Sequence, residues 1–192
     1  MVQTLQRVVF KSIERGDELK LDAKSNIEQT GGGARDFRFP YRPFEPVIVK
    51  MFPKVVQETR RRDKKPTLVD IRYATLTWID DNGQPQQMEI KYEPPTSARP
   101  AEGRIPTVHK IPPLAVKNLP PKSQGDRFVL FAQDSSQTLA VHYVSHTALL
   151  NSNPPWHRLL RETVVEALKK KQGENSALGW GDFKTGRSYV HE

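Results

Sequence analysis

The stretch Thr67–Asp80 reads TLVDIRYATLTWID, and Gln86–Glu93 reads QQMEIKYE. Both segments are rich in Thr, Ile and aromatic residues, which favour β-strands because such side chains pack well on a pleated surface. Asp81-Asn82-Gly83 lies between them and is typical of a tight hairpin turn. The sequence therefore predicts an antiparallel hairpin, with alternate side chains from Val69 to Ile79 on its buried face.

Two helices are predicted outside this hairpin. Apolar residues share one helical face near 44–52, and Pro53 ends that segment. A second apolar stripe, followed by Lys169-Lys170-Lys171, predicts a C-terminal helix near 154–172, because cations complement the negative end of a helix. Further strands are predicted at Val2–Ile13 and in a second hairpin, Arg127–Ala132 with Thr138–Ser145. Together these elements predict an α+β fold with a mostly antiparallel sheet.

A long proline-rich loop at 93–122 interrupts the predicted elements. Eight of the 16 prolines fall in it, and proline donates no backbone hydrogen bond and restricts the residue before it. Loops of this length in compact domains are usually functional or mobile. The chain has 192 residues and no Gly/Ser-rich linker, which predicts a single domain over 1–192.

The charge balance favours an anionic partner. The chain carries 30 Lys+Arg against 22 Asp+Glu, a formal net charge of +8, and such a field concentrates polyanions, double-stranded DNA first among them. There is no cysteine, which excludes disulfides, zinc-thiolate sites and thiol catalysis. The first residues lack a secretion signal, and no apolar stretch reaches the ~18 residues of a membrane helix. We therefore expect a cytoplasmic protein with no membrane partner.

Arginines and aromatic residues are interleaved in Arg35–Arg42, which reads RDFRFPYR and follows Gly31-Gly32-Gly33. A guanidinium offers two parallel hydrogen bonds that suit phosphate and guanine. In an extended strand, Phe37 and Phe39 face the core while Arg38 points outwards. The alternative is that these arginines are an ordinary solvated face. The predicted DNA-positioning residues are Arg35, Arg38, Arg42, Arg60, Arg61 and Arg62.

Four short motifs follow one another in the order found in a known DNA-binding fold. They are Thr30-Gly31-Gly32, Phe39-Pro40, Met51-Phe52-Pro53 and, after the hairpin, Arg99 with Glu102-Gly103-Arg104-Ile105. This order resembles the N-terminal DNA-recognition domain of the EcoRII restriction endonuclease, a DNA-binding pseudobarrel. The resemblance implies a β pseudobarrel that grips the major groove with two arms and reads bases with Arg99, Glu102 and Arg104. One spacing differs from the family pattern: two residues separate Arg99 from Glu102 in this chain, whereas the family has one.

Asp70, Glu89 and Lys91 match the order of the Asp…Glu-x-Lys signature of Mg²⁺-dependent nucleases. In that chemistry two carboxylates bind the metal and the lysine assists the attacking water. The predicted hairpin register argues against a shared metal, because it puts Glu89 opposite Leu76, about 20 Å along the strand from Asp70. Catalysis at Glu89 and Lys91 therefore requires a further acidic side chain from elsewhere.

Taken together, the sequence predicts a DNA-binding protein of a bacterial restriction or phage-defence system that recognises a short duplex sequence or a modified site. Binding itself requires no cofactor. The first alternative is a Mg²⁺-dependent DNA nicking endonuclease of the same kind of system. The second is a non-catalytic adaptor that binds a protein partner, such as another subunit of that system.

Overall fold

The computed structural model describes residues 5–25, 35–62, 65–97, 99–152, 156–173 and 175–191, without the side chains of residues 61, 62 and 65. The strands of this part are β1 Leu5–Ser12, β2 Phe37–Pro40, β3 Lys54–Arg62, β4 Lys65–Ile79, β5 Pro85–Tyr92, β6 Glu102–Ile105, β7 Arg127–Asp134, β8 Leu139–Ser145, β9 Leu178–Asp182 and β10 Arg187–Val190. The helices are α1 Arg15–Leu21, α2 Tyr41–Met51, α3 His146–Asn151 and α4 Arg158–Lys170.

The main sheet is open and mostly antiparallel. Its strand order is β10-β9-β1-β7-β8-β4-β3, with β5 on the other edge of β4. The one parallel contact among the described strands joins β4 to β8 at Leu76 and Leu139. Strands β2 and β6 form a separate two-stranded ribbon. The α+β class is therefore confirmed, whereas the described strands form no closed barrel.

Both faces of the sheet are covered by other elements. Alternate side chains of a strand point to opposite sides of a sheet, and the central strands carry apolar residues on both sides. Val9 packs with α2 and the β2–β6 ribbon, whereas its neighbours Val8 and Phe10 pack on the other face with α4. The ribbon buries Phe37 and Phe39 completely and leaves Arg38 on its outer side. The outward position predicted for Arg38 is confirmed.

The two predicted helices are present with shifted bounds. Helix α2 begins at Tyr41 and buries Phe44, Val47, Ile48 and Met51 along one face. Helix α4 spans Arg158–Lys170 inside the predicted 154–172, and it ends shortly before Gly173, which has a positive φ of 57°. The apolar stripe therefore located both helices, while the prolines before α4 did not mark its first residue.

The proline-rich segment 93–122 is partly regular. It contains β6 and three short 3-10 turns between Val108 and Asn118, and a fourth turn, Lys122–Gln124, begins at its last residue. Strand β6 forms because Pro100 and Pro106 flank it rather than interrupt it. The strand then holds the segment against the sheet through its pairing with β2.

The register of the β4–β5 hairpin differs from the predicted one by a single residue. Asp80 bonds to Gln84 through the backbone, so Asp81-Asn82-Gly83 forms a three-residue loop with Gly83 at φ 76°. This loop puts Thr75 opposite Glu89, not Leu76. At this end of the strand Ala74 and Leu76 are buried and Ile79 is 66% exposed, which corrects the predicted buried face there.

Candidate nucleic-acid interface

A buried carboxylate, Glu93, is the centre of a charged cluster just after β5, and it is only 3% exposed. Arg60 donates to both its oxygens, at 3.0 and 2.9 Å, and also reaches Glu58 at 3.2 Å. Lys91 Nζ lies 2.8 Å from Oε1. Arg104 donates to Oε2 from Nε at 2.8 Å and from Nη2 at 2.6 Å. Cations from β3, β5 and β6 therefore converge on one carboxylate.

The cluster continues along the β2–β6 ribbon through a second buried carboxylate, Asp36. Arg104 Nη1 donates to Asp36 at 3.4 Å, and Arg38 donates to both Asp36 oxygens at 3.1 and 3.3 Å. Arg38 lies 3.6 Å from Glu102, and Arg99 lies 3.8 Å from the same carboxylate. We call this set the Glu93 network. Its members are Asp36, Arg38, Glu58, Arg60, Lys91, Glu93, Arg99, Glu102 and Arg104.

The Glu93 network neutralises most of its own positive charge, since it holds five cations and four carboxylates. Burial raises the pKa of Glu93, but hydrogen bonds from Arg60, Lys91 and Arg104 outweigh burial and hold that pKa well below its usual range. The hydrogen bond to Glu93 in turn raises the pKa of Arg60. The charges of Arg60, Lys91 and Arg104 are therefore used in ion pairs that hold the strands together.

The three predicted base-reading residues differ in how available they are. Each of the Arg104 guanidinium nitrogens is directed at Glu93 or Asp36. The Arg99 side chain is 58% exposed and the Glu102 side chain 39% exposed, with a long contact of 3.8 Å between them. Arg99 is thus accessible to a ligand, and Glu102 is accessible only in part, because its Oε2 is buried 3.6 Å from Arg38. Arg104 holds other residues in place.

The structure does not bring the nuclease-like residues together. Glu89 lies opposite Thr75, five positions from Asp70 and about 16 Å away along the strand. Because five is an odd number, Asp70 and Glu89 also point to opposite faces of the sheet. Glu89 is paired with Lys54 at 2.5 Å, and Lys91 belongs to the Glu93 network. Among the described residues, no group of three or more His, Cys, Asp or Glu side chains is placed to hold a metal ion.

Arg35 caps a helix. Its guanidinium donates to backbone carbonyls at the end of α1 and just beyond it, which have no partner within the helix. The acceptors are the carbonyl oxygens of Leu19, Lys20, Asp22, Ala23 and Ser25. With its donors directed at these carbonyls, Arg35 is a poor candidate for a phosphate contact.

A cleft of about 580 Å³ lies between the first turn of α2, strand β4 and the prolines that follow β5. We call it the α2–β4 cleft. Pro94, Pro95 and Pro100 contribute to one wall. Its polar lining consists of Tyr41, Arg42, Glu45, Asp70, Arg72 and Tyr92.

Two guanidiniums in the α2–β4 cleft are free. Arg42 is exposed and Arg72 half-buried, and neither makes a hydrogen bond or ion pair with any residue in the described ranges. The carboxylates nearby have neutral partners instead. Tyr41 donates to Glu45 at 3.2 Å, and Gln57 donates to Asp70 at 3.2 Å. The cleft therefore presents two guanidiniums without a direct ion pair, beside two carboxylates.

Sequence reasoning missed Arg72 and Tyr92 as site residues. In the observed register Arg72 lies opposite Tyr92, whereas the predicted register gave Tyr73 that position. The turn sequence could have identified this pair, because a three-residue loop at Asp81-Asn82-Gly83 puts Arg72 opposite Tyr92.

The predicted arginines are divided between the two faces of β4. Arg72 and Asp70 face the cleft, while Tyr73 and its partner Lys91 face the Glu93 network. Arg42 belongs to the cleft side and Arg60 to the network side. The remaining predicted groups, which are Gly31-Gly32-Gly33 and the side chains of Arg61 and Arg62, lie outside the described residues.

Compared with known proteins, the chain matches no family model, and neither a curated protein nor a solved structure matches it significantly. The resemblance to the EcoRII recognition domain therefore stays a prediction based on short motifs. In the described ranges, no helix is long and apolar enough to cross a membrane.

Proposed function

We propose that the protein binds double-stranded DNA, with phosphate contacts at the α2–β4 cleft. The observation that carries this proposal is the pair of free guanidiniums of Arg42 and Arg72, which line one cleft from separate elements. Arg99, only weakly paired, directly precedes Pro100 on the cleft wall. Guanidiniums without a carboxylate partner are suited to bind phosphate bidentately.

The surrounding charge supports an extended anionic ligand. The net charge is +8, and the chain from Arg60 onward reads RRRDKK, which is five cations and one carboxylate. Strand β3 ends within this run, at Arg62, and β4 begins at its last residue, Lys65. The paired strands form an arm with exposed apolar residues, with Val55 at 45% and Leu68 at 65%. An arm of this kind brings its basic end within reach of the phosphates of a bound duplex.

Within this proposal the network residues and the accessible residues have different roles. Arg99 and Glu102 contact base edges, since arginine suits guanine and a carboxylate accepts from cytosine N4. Arg60 and Arg104 are positioning residues that hold the β3–β4 arm and the ribbon against Glu93. Phosphate contacts fix the register of the protein on the duplex, and base contacts supply specificity.

The wider assignment belongs to the same proposal. A cytoplasmic role in a restriction or phage-defence system, beside other subunits of that system, rests on the order of the motifs from Phe39-Pro40 to Arg104. The pseudobarrel form rests on the same motifs and on the packing of the β2–β6 ribbon over one face of the open sheet. The sheet itself supports only the broader α+β class.

Fluorescence anisotropy with a labelled 20-base-pair duplex across a salt series tests the proposal. We expect the logarithm of the binding constant to fall against the logarithm of salt concentration with a slope of about −3 or steeper. Arg42→Gln and Arg72→Gln should each reduce the steepness by about 1, whereas Arg99→Gln should relax sequence specificity and leave the slope nearly unchanged.

Arg187→Gln is the matched control, because Arg187 is exposed on β10 at the far edge of the sheet. Binding that is insensitive to salt, or that all four variants leave unchanged, contradicts the proposal. Running methylated and unmodified duplexes side by side shows whether a modified site is preferred.

The nicking alternative has weaker support, since Asp70 and Glu89 lie on opposite faces. Supercoiled plasmid incubated with Mg²⁺ tests it directly. Nicking that disappears in Glu89→Gln would revive the alternative, and intact plasmid with a normal gel shift would leave DNA binding alone.

A further inference from the structure

The first turn of α2 adds a positive end to the α2–β4 cleft. The helix has no side-chain cap and no acidic residue in its first turn, although Tyr41 N–H donates to the carbonyl of Ala101 at 2.8 Å. A helix N-terminus carries a partial positive charge that favours anions. Arg42 belongs to this same turn, so the helix end and the guanidinium favour the same kind of ligand.

An unpartnered buried hydroxyl lies on the same cleft. Tyr92 lines the cleft and is only 2% exposed, and its hydroxyl has no hydrogen-bond partner within the described residues. Burial, with the nearby Tyr41 and Glu45, raises the pKa of Tyr92, so the hydroxyl keeps its proton and remains a donor. An unsatisfied buried donor is costly, so the polar tip of Tyr92 makes this wall of the cleft a strained part of the core.

Gly103 fixes the position of that hydroxyl. A Cβ built on Gly103 would overlap the hydroxyl and ring of Tyr92. Strand β6 therefore approaches the ring closely because residue 103 is glycine. The hydroxyl is held against β6, behind the wall of the cleft that Tyr92 lines.

The carboxylates of the cleft define what else the ligand must carry. Glu45 and Asp70 lie on the same lining as Arg42 and Arg72, and they would repel an isolated phosphate dianion. A ligand with both an anionic group and N–H or O–H donors can bind the guanidiniums with the first and the carboxylates with the second. The volume of about 580 Å³ falls within the ~300–1,000 Å³ typical of small-molecule sites and exceeds what phosphate alone needs.

We propose that the α2–β4 cleft binds a single nucleotide, with its phosphate on Arg42 and Arg72 and its base or sugar donors on Glu45 and Asp70. The inference shares its cleft with the proposed function but needs no duplex. The nucleotide comes either from solution or from the end of a DNA strand, and both present the same monophosphate.

Isothermal titration calorimetry of the full chain with deoxyguanosine 5′-monophosphate tests the inference. We expect saturable binding at one site, at least about 10-fold weaker for deoxyguanosine and for inorganic phosphate, because each lacks one set of contacts. Arg72→Gln should weaken nucleotide binding at least about 10-fold. Arg187→Gln should leave it within about 2-fold, and thermal melting of each variant shows that it folds.

No saturable heat with deoxyguanosine 5′-monophosphate, equal affinity in Arg72→Gln, or equal affinity for inorganic phosphate would overturn the inference. A strand with a 5′-phosphate that binds more tightly than the same strand with a 5′-hydroxyl identifies the strand end as the source, and equal affinities identify the free nucleotide. Duplex binding without nucleotide binding refutes this inference alone, whereas nucleotide binding without duplex binding refutes only the proposed function.

Discussion

The two faces of strand β4 use arginine in different ways. On one face Arg60 and Arg104 are bound to the buried Glu93, and their charge holds strands together. On the other face Arg42 and Arg72 have no partner within the described part of the chain. The contrast shows that a count of arginines does not locate a binding surface. The position of the nearest buried carboxylate decides which arginines are available.

The strongest test of this contrast is Glu93→Gln. Removing the shared charge leaves three cations without their carboxylate, and we expect the free energy of unfolding to fall by about 3 kcal/mol. Urea denaturation measures this loss. Glu89→Gln is the matched control, because Glu89 and Lys54 are 47% and 59% exposed, and exposed pairs contribute less than about 1 kcal/mol. Equal losses in the two variants would mean that Glu93 is not the centre of the network.

A second test compares two arginines of the same network. Arg104→Gln should lower the free energy of unfolding by about 1.5–2 kcal/mol, because it removes charge-assisted hydrogen bonds to two buried carboxylates. Arg99→Gln should change it by no more than about 0.5 kcal/mol, since Arg99 is exposed and weakly paired. Denaturation curves measure both. A reversed order would show that Arg99, not Arg104, holds the ribbon.

The depressed pKa of Glu93 gives a third test. Its contribution to stability is fully present above about pH 4.5, the ordinary value for glutamate, and is lost as pH falls through the lower folded-state pKa. The difference in unfolding free energy between the wild type and Glu93→Gln should therefore shrink below pH 4.5, by at most about 1.4 kcal/mol per pH unit. Denaturation at a series of pH values measures it, and a difference that stays constant down to pH 2 contradicts it.

The smallest expected effect separates a capping arginine from a free one. Arg35→Gln should cost about 1 kcal/mol of unfolding free energy, because carbonyls at the end of α1 lose their donor, and it should leave the salt dependence of DNA binding unchanged. Arg42→Gln should do the opposite, with stability within about 0.5 kcal/mol and a shallower salt slope. Thermal melts of the two variants measure the change in stability, and anisotropy measures the change in salt slope.

Much of the fold could be predicted from local patterns. The hairpin, helix α2 and helix α4 each carry a periodic apolar pattern with a turn or proline at its end, and these signals depend only on neighbouring residues. The register could not be fixed in the same way. Asn82-Gly83 as a two-residue turn and Asp81-Asn82-Gly83 as a three-residue loop differ by one position, and one position exchanges the two faces of a strand.

The candidate site was harder to predict because ion pairing is a property of the folded chain. Arg60 lies 33 residues from its partner Glu93, and Arg104 lies 11 residues from it. No local pattern in the sequence distinguishes these arginines from Arg42, whose helix turn faces a cleft. Charge composition therefore predicts an anionic ligand without locating its site, and the tertiary arrangement is needed to identify the available cations.

Strand β4 is 15 residues long, or about 46 Å from end to end. Its first half pairs with β3 and its second half with β5 and β8, so one continuous strand links the basic end of the arm to the centre of the sheet. Such a strand fixes the distance between the end of the arm and the centre of the sheet. Adding two residues to both β3 and β4 would preserve which side each residue faces, while moving the end of the arm outward by about 7 Å.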